Sequence, residues 1–100
     1  MSENINRVHI IGIGGCASSA IAEYLSSKGV TVSGSEMKKR DDLDYLKEKG
    51  VKIFFGHSAD NIKNQDLPDA VLFSPAVMAL NPDNPELTTA RENGIPLYSW

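Results

Sequence analysis

The chain has 100 residues, 41% hydrophobic and 23% charged, with a net charge of −3. That describes one domain of ordinary soluble composition, large enough for one core but not two. It argues against a nucleic-acid partner, which would call for a basic face, and no apolar run is long enough to cross a membrane. Cys16 is the single cysteine, which excludes an internal disulfide and a cysteine-based zinc site. The polar start, Met1-Ser2-Glu3-Asn4, lacks the basic-then-apolar pattern of a secretion signal, so the expected compartment is the cytoplasm.

In chain order the elements alternate. Arg7 to Ile11, with Val8, Ile10 and Ile11 apolar, reads as a central strand covered on both faces. It runs into Gly12-Ile13-Gly14-Gly15-Cys16-Ala17-Ser18-Ser19, in which Gly12-x-Gly14-x-x-Ala17 fits a dinucleotide-binding turn. Gly12 permits a sharp turn, Gly14 lets a phosphate approach the backbone, and Ala17 is small enough for close helix packing. The helix that follows, Ala17 to Lys28, offers free N–H groups and its positive dipole end to an anion. Ile21, Leu25 and Ala17 form its expected buried stripe, and Gly29 ends it.

Val30 to Gly34 reads as strand two. Asp41 or Asp42 caps a second helix that stops at Gly50. Val51 to Phe55 is strand three, Ser58 to Ile62 one helical turn, and Ala70 to Phe73 strand four. Asn84-Pro85-Glu86 starts a third helix with a cap and Pro at its first position; Gly94 ends it and Pro96 to Tyr98 is strand five. Strands separated by helices imply right-handed crossovers. The expected fold is a Rossmann-like three-layer α/β sandwich with a five-stranded parallel sheet in the order 3-2-1-4-5. Its cleft opens at the carboxyl ends of strands one and four, where the chain reverses direction.

Three loops reach that cleft: Gly12 to Ser19, Gly34-Ser35-Glu36, and Ser74-Pro75-Ala76-Val77. Glu36 lies 24 positions after Gly12, near the roughly 20-residue spacing at which a carboxylate meets a ribose hydroxyl. It is also compatible with a solvated loop beside Lys38, Lys39 and Arg40. Ser18 and Ser19 suit either a phosphate or simple capping. Cys16 reads as a small packing residue, since no base partner is evident. His9 reads as a hydrogen-bonded sheet residue, and His57 as either a ligand contact or a surface histidine. These features are compatible with NAD(P) in an oxidoreductase or channel regulator, or with another nucleotide.

Several ordered segments then resemble one family. His9-Ile10-Ile11-Gly12-Ile13-Gly14-Gly15, Ile21-Ala22-Glu23-Tyr24-Leu25 and Val32-Ser33-Gly34-Ser35 are similar to the N-terminal domain of the Mur ligases. So are Ile53-Phe54-Phe55-Gly56-His57, Ser74-Pro75-Ala76-Val77, Asn84-Pro85-Glu86-Leu87 and Ala90-Arg91-Glu92-Asn93-Gly94-Ile95-Pro96. Within the family the likeness is to the branch that adds L-alanine to UDP-N-acetylmuramate in peptidoglycan synthesis. It implies a substrate-binding domain with no catalytic residue and no metal ligand of its own. Gly12, Gly14, Gly15, Ser18 and Ser19 would surround the diphosphate, and Ile13, Cys16 and Ala17 of the same turn count among the expected substrate-binding residues. Ser35 and Glu36 would lie near the uridine, and Ser74, Pro75, Ala76 and Val77 near the diphosphate or sugar; His57, from its carboxyl-end loop, is an expected contact to the base or sugar.

The family usually carries Ile-Gly-Met where this chain has Cys16-Ala17-Ser18, and Asp where it has Glu36. No Gly-x-x-x-x-Gly-Lys-Ser/Thr loop is present. The resemblance therefore implies a piece of a longer ligase, with ATP, Mg2+ and the amino acid bound by central and C-terminal domains of the same chain.

Overall fold

A computed structural model describes residues 5–100; the polar start, Met1 to Asn4, lies outside the described residues. Five strands, β1 (Arg7–Ile11), β2 (Thr31–Glu36), β3 (Lys52–Phe55), β4 (Ala70–Phe73) and β5 (Leu97–Ser99), form one parallel sheet in the order β3-β2-β1-β4-β5. The helices are α1 (Cys16–Ser27), α2 (Asp44–Glu48), α3 (Asp60–Lys63), α4 (Pro75–Leu80) and α5 (Pro85–Glu92). The expected architecture and strand order are those found.

The differences are local. β2 runs on to Glu36 instead of stopping at Gly34, because Ser35 and Glu36 pair with Phe54 and Phe55 of β3. In α1 the inward residues are Ser18, Ala22 and Leu25, while Ala17 is exposed and Ile21 only partly buried. Ser18, not Ala17, is thus the small residue at the close packing face. Asp41–Leu43 forms a 3-10 turn that leads into α2. Ser74 to Val77 is not simply a loop. Ser74 stands at the N-cap position and Pro75 begins α4. β5 starts at Leu97, since Pro96 has no N–H to give the sheet, although its carbonyl accepts from Val71 at 2.9 Å.

Alternation along the strands divides the interior in two. Val8, Ile10 and Val32 join Ile13, Ala22, Leu25, Leu43, Leu46 and Val51 on the face covered by α1 and α2. Ile11, Val71 and Phe73 join Ile62, Leu87, Ala90 and Ile95 on the face covered by α3 and α5. Gly34 matters to the first face. A Cβ there would lie 2.9 Å from the Ile10 carbonyl and would collide with the fully buried Ile13 side chain.

The second face carries a polar core. Glu86 of α5 is 0% exposed, yet its carboxylate accepts from five donors. Oε1 accepts from His9 Nε2 and from the Ser35 hydroxyl at 2.8 Å. Oε2 accepts from His57 Nδ1 at 3.2 Å, the Ser58 N–H at 3.1 Å and Asn61 Nδ2 at 3.2 Å. His9, also 0% exposed, is anchored on its other side, Nδ1 meeting Ser33 Oγ at 2.8 Å. Burial pushes the Glu86 carboxyl up, but the His9 hydrogen bond and charge, with Ser35 and Asn61, outweigh it and hold the group below its ordinary value of 4.5.

Two predictions test this interior. Gly34→Ala overpacks a site where one neighbour is backbone. It should destabilise the domain by about 1–3 kcal/mol, visible as a melting temperature lower by several degrees. Glu86→Gln places an amide NH2 among donors and breaks a buried pair, a loss of about 3–5 kcal/mol, measured by urea unfolding. Because the native carboxyl is held low, its stabilisation is present at neutral pH and is lost as pH falls below the ordinary carboxylate range. The parent should lose stability there, and Glu86→Gln should show less of that acid dependence.

Candidate functional site

The chain leaves β1 at the point where its two neighbours, β2 and β4, diverge. Gly12 takes φ +78°, a conformation in which a Cβ is strained, and its N–H and that of Ile13 both bond the Ser35 carbonyl, at 2.9 and 3.0 Å. The turn is thereby tied to the end of β2. Gly14 has no positive φ; it is needed for space, since a Cβ there would collide with the side chains of Arg40 and Glu36.

The helix then begins without help. α1 has Gly15 at its N-cap with no side-chain cap and no acidic residue in its first turn. Its first internal bond is from Ser19 N–H to the Gly15 carbonyl at 2.8 Å. Among the described residues, no acceptor meets the N–H groups of Cys16, Ala17 and Ser18. Three unpartnered donors at a positive helix end form a place for an anion.

Beside this turn lies a cleft of about 430 Å³ at the carboxyl ends of the strands. It is lined by Gly12, Glu36, Met37 and His57, by Ala76, Val77 and Leu80 of α4, and by Asn81, Asn84 and Pro85. Its walls are mostly apolar, with Met37 and Leu80 exposed to solvent. His57 is 17% exposed and is held through Nδ1 by Ser35 Oγ at 2.9 Å and by Glu86. It is therefore not a free surface histidine. Among the described residues, nothing bonds its Nε2.

Of the residues expected at a site, Gly12, Glu36, His57, Ala76 and Val77 line this cleft together. Gly15, Cys16 and Ala17 are exposed at the helix entrance, and Ser19 is half-buried with its hydroxyl on the Cys16 carbonyl at 3.2 Å. Ile13, Ser18 and Ser35 turn their side chains into the protein, so only their backbone faces the turn. The Ser35 hydroxyl is spent on Glu86. Ser74 and Pro75 stand at the head of α4, outside the cleft lining.

Glu36 holds an unexpected position. Its Oε1 accepts the Gly14 N–H at 2.7 Å and its Oε2 accepts from Met37 N–H at 3.2 Å. Arg40 crosses the same turn, giving Nη1 to the Gly14 carbonyl at 3.0 Å and gripping Asp42 with Nε and Nη2 at 3.1 and 2.7 Å. The Arg40 hydrogen bond holds the Asp42 carboxyl below its ordinary value. Sequence reasoning placed Lys38, Lys39 and Arg40 together as a solvated run; only Arg40 folds back. It also missed Glu86, whose position one helical turn before the buried Ala90 was the available signal.

Residues 7–100 match the family model described as "Mur ligase family, catalytic domain". A UDP-N-acetylmuramate–L-alanine ligase of Alkaliphilus metalliredigens is 46% identical over 93 residues, which are 93% of this chain and 19% of that protein. One of Acetivibrio thermocellus is 47% identical over 89 residues, 89% of this chain and 18% of the other. The crystal structure of UDP-N-acetylmuramate-alanine ligase MurC from Thermotoga maritima superposes with a TM-score of 0.81 at 39% identity, covering 93% of this chain and 20% of that one. A murein peptide ligase from Psychrobacter arcticus shares the fold, with a TM-score of 0.78 at 22% identity over 92% of this chain and 18% of that one. The chain thus spans about a fifth of the length of the curated relatives it matches. With a family model matched across nearly its whole length, this chain belongs to the Mur ligase family.

Proposed function

We propose that this domain holds UDP-N-acetylmuramate for an ATP-dependent ligase that adds L-alanine during peptidoglycan synthesis in the cytoplasm. The observation that carries the reading is the uncapped entrance of α1, with three free N–H groups beside an apolar cleft at the sheet's switch point. The diphosphate would rest on the turn from Gly12 to Ser19, the uridine toward Glu36 and His57, and the sugar toward Ala76 and Val77. The relatives' names supply the substrate class.

The contribution of such a domain is position. A bound muramyl carboxylate held at a fixed place lets an amine meet it in an effectively unimolecular step, and well-oriented reactions of this kind gain roughly 7–11 kcal/mol. The residues present do not fit ATP and Mg2+. The chain has no phosphate-binding Gly-x-x-x-x-Gly-Lys-Ser/Thr loop, and among the described residues no three His, Cys, Asp or Glu side chains cluster to hold a metal. We assign both to central and C-terminal domains of the longer enzyme.

Calorimetric titration of the 100-residue chain should show UDP-N-acetylmuramate binding more tightly than NAD. The reverse order would replace this reading with that of a nicotinamide-binding domain. Gly14→Asp should remove diphosphate binding while leaving a cooperative melt. Two like charges about 4 Å apart repel by roughly 4 kcal/mol at an effective dielectric near 20, about a thousandfold in affinity. Gly14 has no positive φ, so the new side chain adds no backbone strain. Undiminished binding by a folded Gly14→Asp variant would remove the glycine turn from the site.

A further inference from the structure

We propose that Glu36 is a built-in stand-in for the ligand's phosphate: its carboxylate occupies the anion seat at Gly14 in the free domain, and an incoming diphosphate must displace it. This rests on the reading that the turn at Gly12 to Ser19 receives a diphosphate. The seat is defined by geometry. The Gly14 N–H is the one donor of the turn that points to a carboxylate, at 2.7 Å. A Cβ on Gly14 would strike both Glu36 Oε1 and Arg40 Nη1, so these two groups fill the space that the missing side chain leaves open. That is the space a phosphate needs to approach the backbone.

The arrangement can open without disturbing the core. Glu36 ends β2, half-buried, and Met37 to Arg40 beyond it are all exposed. Swinging its side chain outward breaks hydrogen bonds to two backbone N–H groups, those of Gly14 and Met37. Arg40 Nη1, which shares that space, has only to shift aside at its tip. Its guanidinium is held separately, by the Gly14 carbonyl and by two bonds to Asp42. After displacement a phosphate would meet the Gly14 N–H, the free N–H groups of Cys16, Ala17 and Ser18, and a cation fixed at the rim. Arg40 keeps its Asp42 partner in both states.

Reach is essential to this role. An aspartate at position 36 is one methylene shorter on the same strand end and would leave the Gly14 N–H unmet. A seated carboxylate lowers apparent affinity by the fraction of molecules that are open. Removing it should therefore tighten phosphate binding, whereas removing a residue that recognises ligand should weaken it. Inorganic pyrophosphate is the probe that separates these cases, since it has no ribose whose contact could be lost.

The experiment compares the parent chain with Glu36→Ala and Glu36→Asp. Amide hydrogen exchange at Gly14 should be slow in the parent and about tenfold faster in both variants, the worth of one partly exposed charge-assisted hydrogen bond. Pyrophosphate should bind both variants about tenfold more tightly than the parent. Glu36→Asp keeps the charge and tests reach even if Glu36→Ala fails to fold. Equal exchange at Gly14, or pyrophosphate binding no tighter in the variants, overturns the proposal. Tighter pyrophosphate binding with no binding of UDP-N-acetylmuramate to any variant upholds the seat and overturns the substrate reading instead.

Discussion

The Glu86 carboxylate has no contact with water, and the arrangement around the cleft depends on it. An uncompensated buried carboxylate would cost several kcal/mol. Five donors, drawn from β1, β2, α3 and the segment after β3, remove that cost. The same five contacts fix where those segments lie relative to α5. His9 and Ser35 are adjacent-strand residues whose side chains converge on one oxygen. His57, Ser58 and Asn61 come from the turn that follows β3 and converge on the other. The carboxylate therefore works as a clamp at the carboxyl ends of β1, β2 and β3, where the candidate site opens.

Position follows from that clamp. The Ser35 hydroxyl is held by Glu86, and the Ser35 carbonyl in turn accepts the N–H groups of Gly12 and Ile13. The glycine turn is thus tied through one residue to a fully buried ion. His57 is tied to the same ion through Nδ1, which leaves Nε2 as its open nitrogen beside the cleft. Two walls of the cleft share one internal anchor. Displacing Glu86 would therefore disturb the site without any residue in the cleft being changed.

Much of this was legible in the sequence, and the boundary between what was and was not has a physical cause. β1 and β4 were readable to the residue because the apolar Val8, Ile10 and Ile11 and the run Ala70 to Phe73 suit strands covered on both faces in a parallel sheet. Alternation and crossover handedness implied a parallel sheet, and the order 3-2-1-4-5 expected for a dinucleotide-binding turn is the one found. α4 was missed although Ser74-Pro75 has the same cap-then-proline form as Asn84-Pro85, because no residue of that short helix is buried and no apolar stripe marks it. The inward face of α1 was misjudged by one residue, since the fingerprint's third small position pointed to Ala17 while Ser18 packs. Glu86 was read as part of a helix start because a charged residue in a first turn usually faces solvent. Its burial depends on His9, 77 positions away, and no local pattern carries that information.

The two faces of the sheet divide the work. The apolar face, with Ile13 lying over Gly34 and Leu25 of α1 in the same cluster, supports the glycine turn by packing, beside the two backbone hydrogen bonds to the Ser35 carbonyl. Packing of that kind is indifferent to charge, so it keeps the same shape whether or not an anion is present. The charged groups beside the turn, Glu36, Arg40 and Asp42, lie outside both cores, at the end of β2 and on the exposed segment after it. Pairs of this sort at the surface are worth about 1 kcal/mol or less each, an order of magnitude below the stability of a typical domain. Their rearrangement can therefore change affinity severalfold while the fold that presents the turn stays as it is. The resemblance to the family departs at Cys16, Ala17 and Ser18 of the glycine turn and at Glu36, which ends β2. Three of those four side chains lie at the exposed or half-buried rim, and the fourth, Ser18, fills a buried place that accepts a small residue.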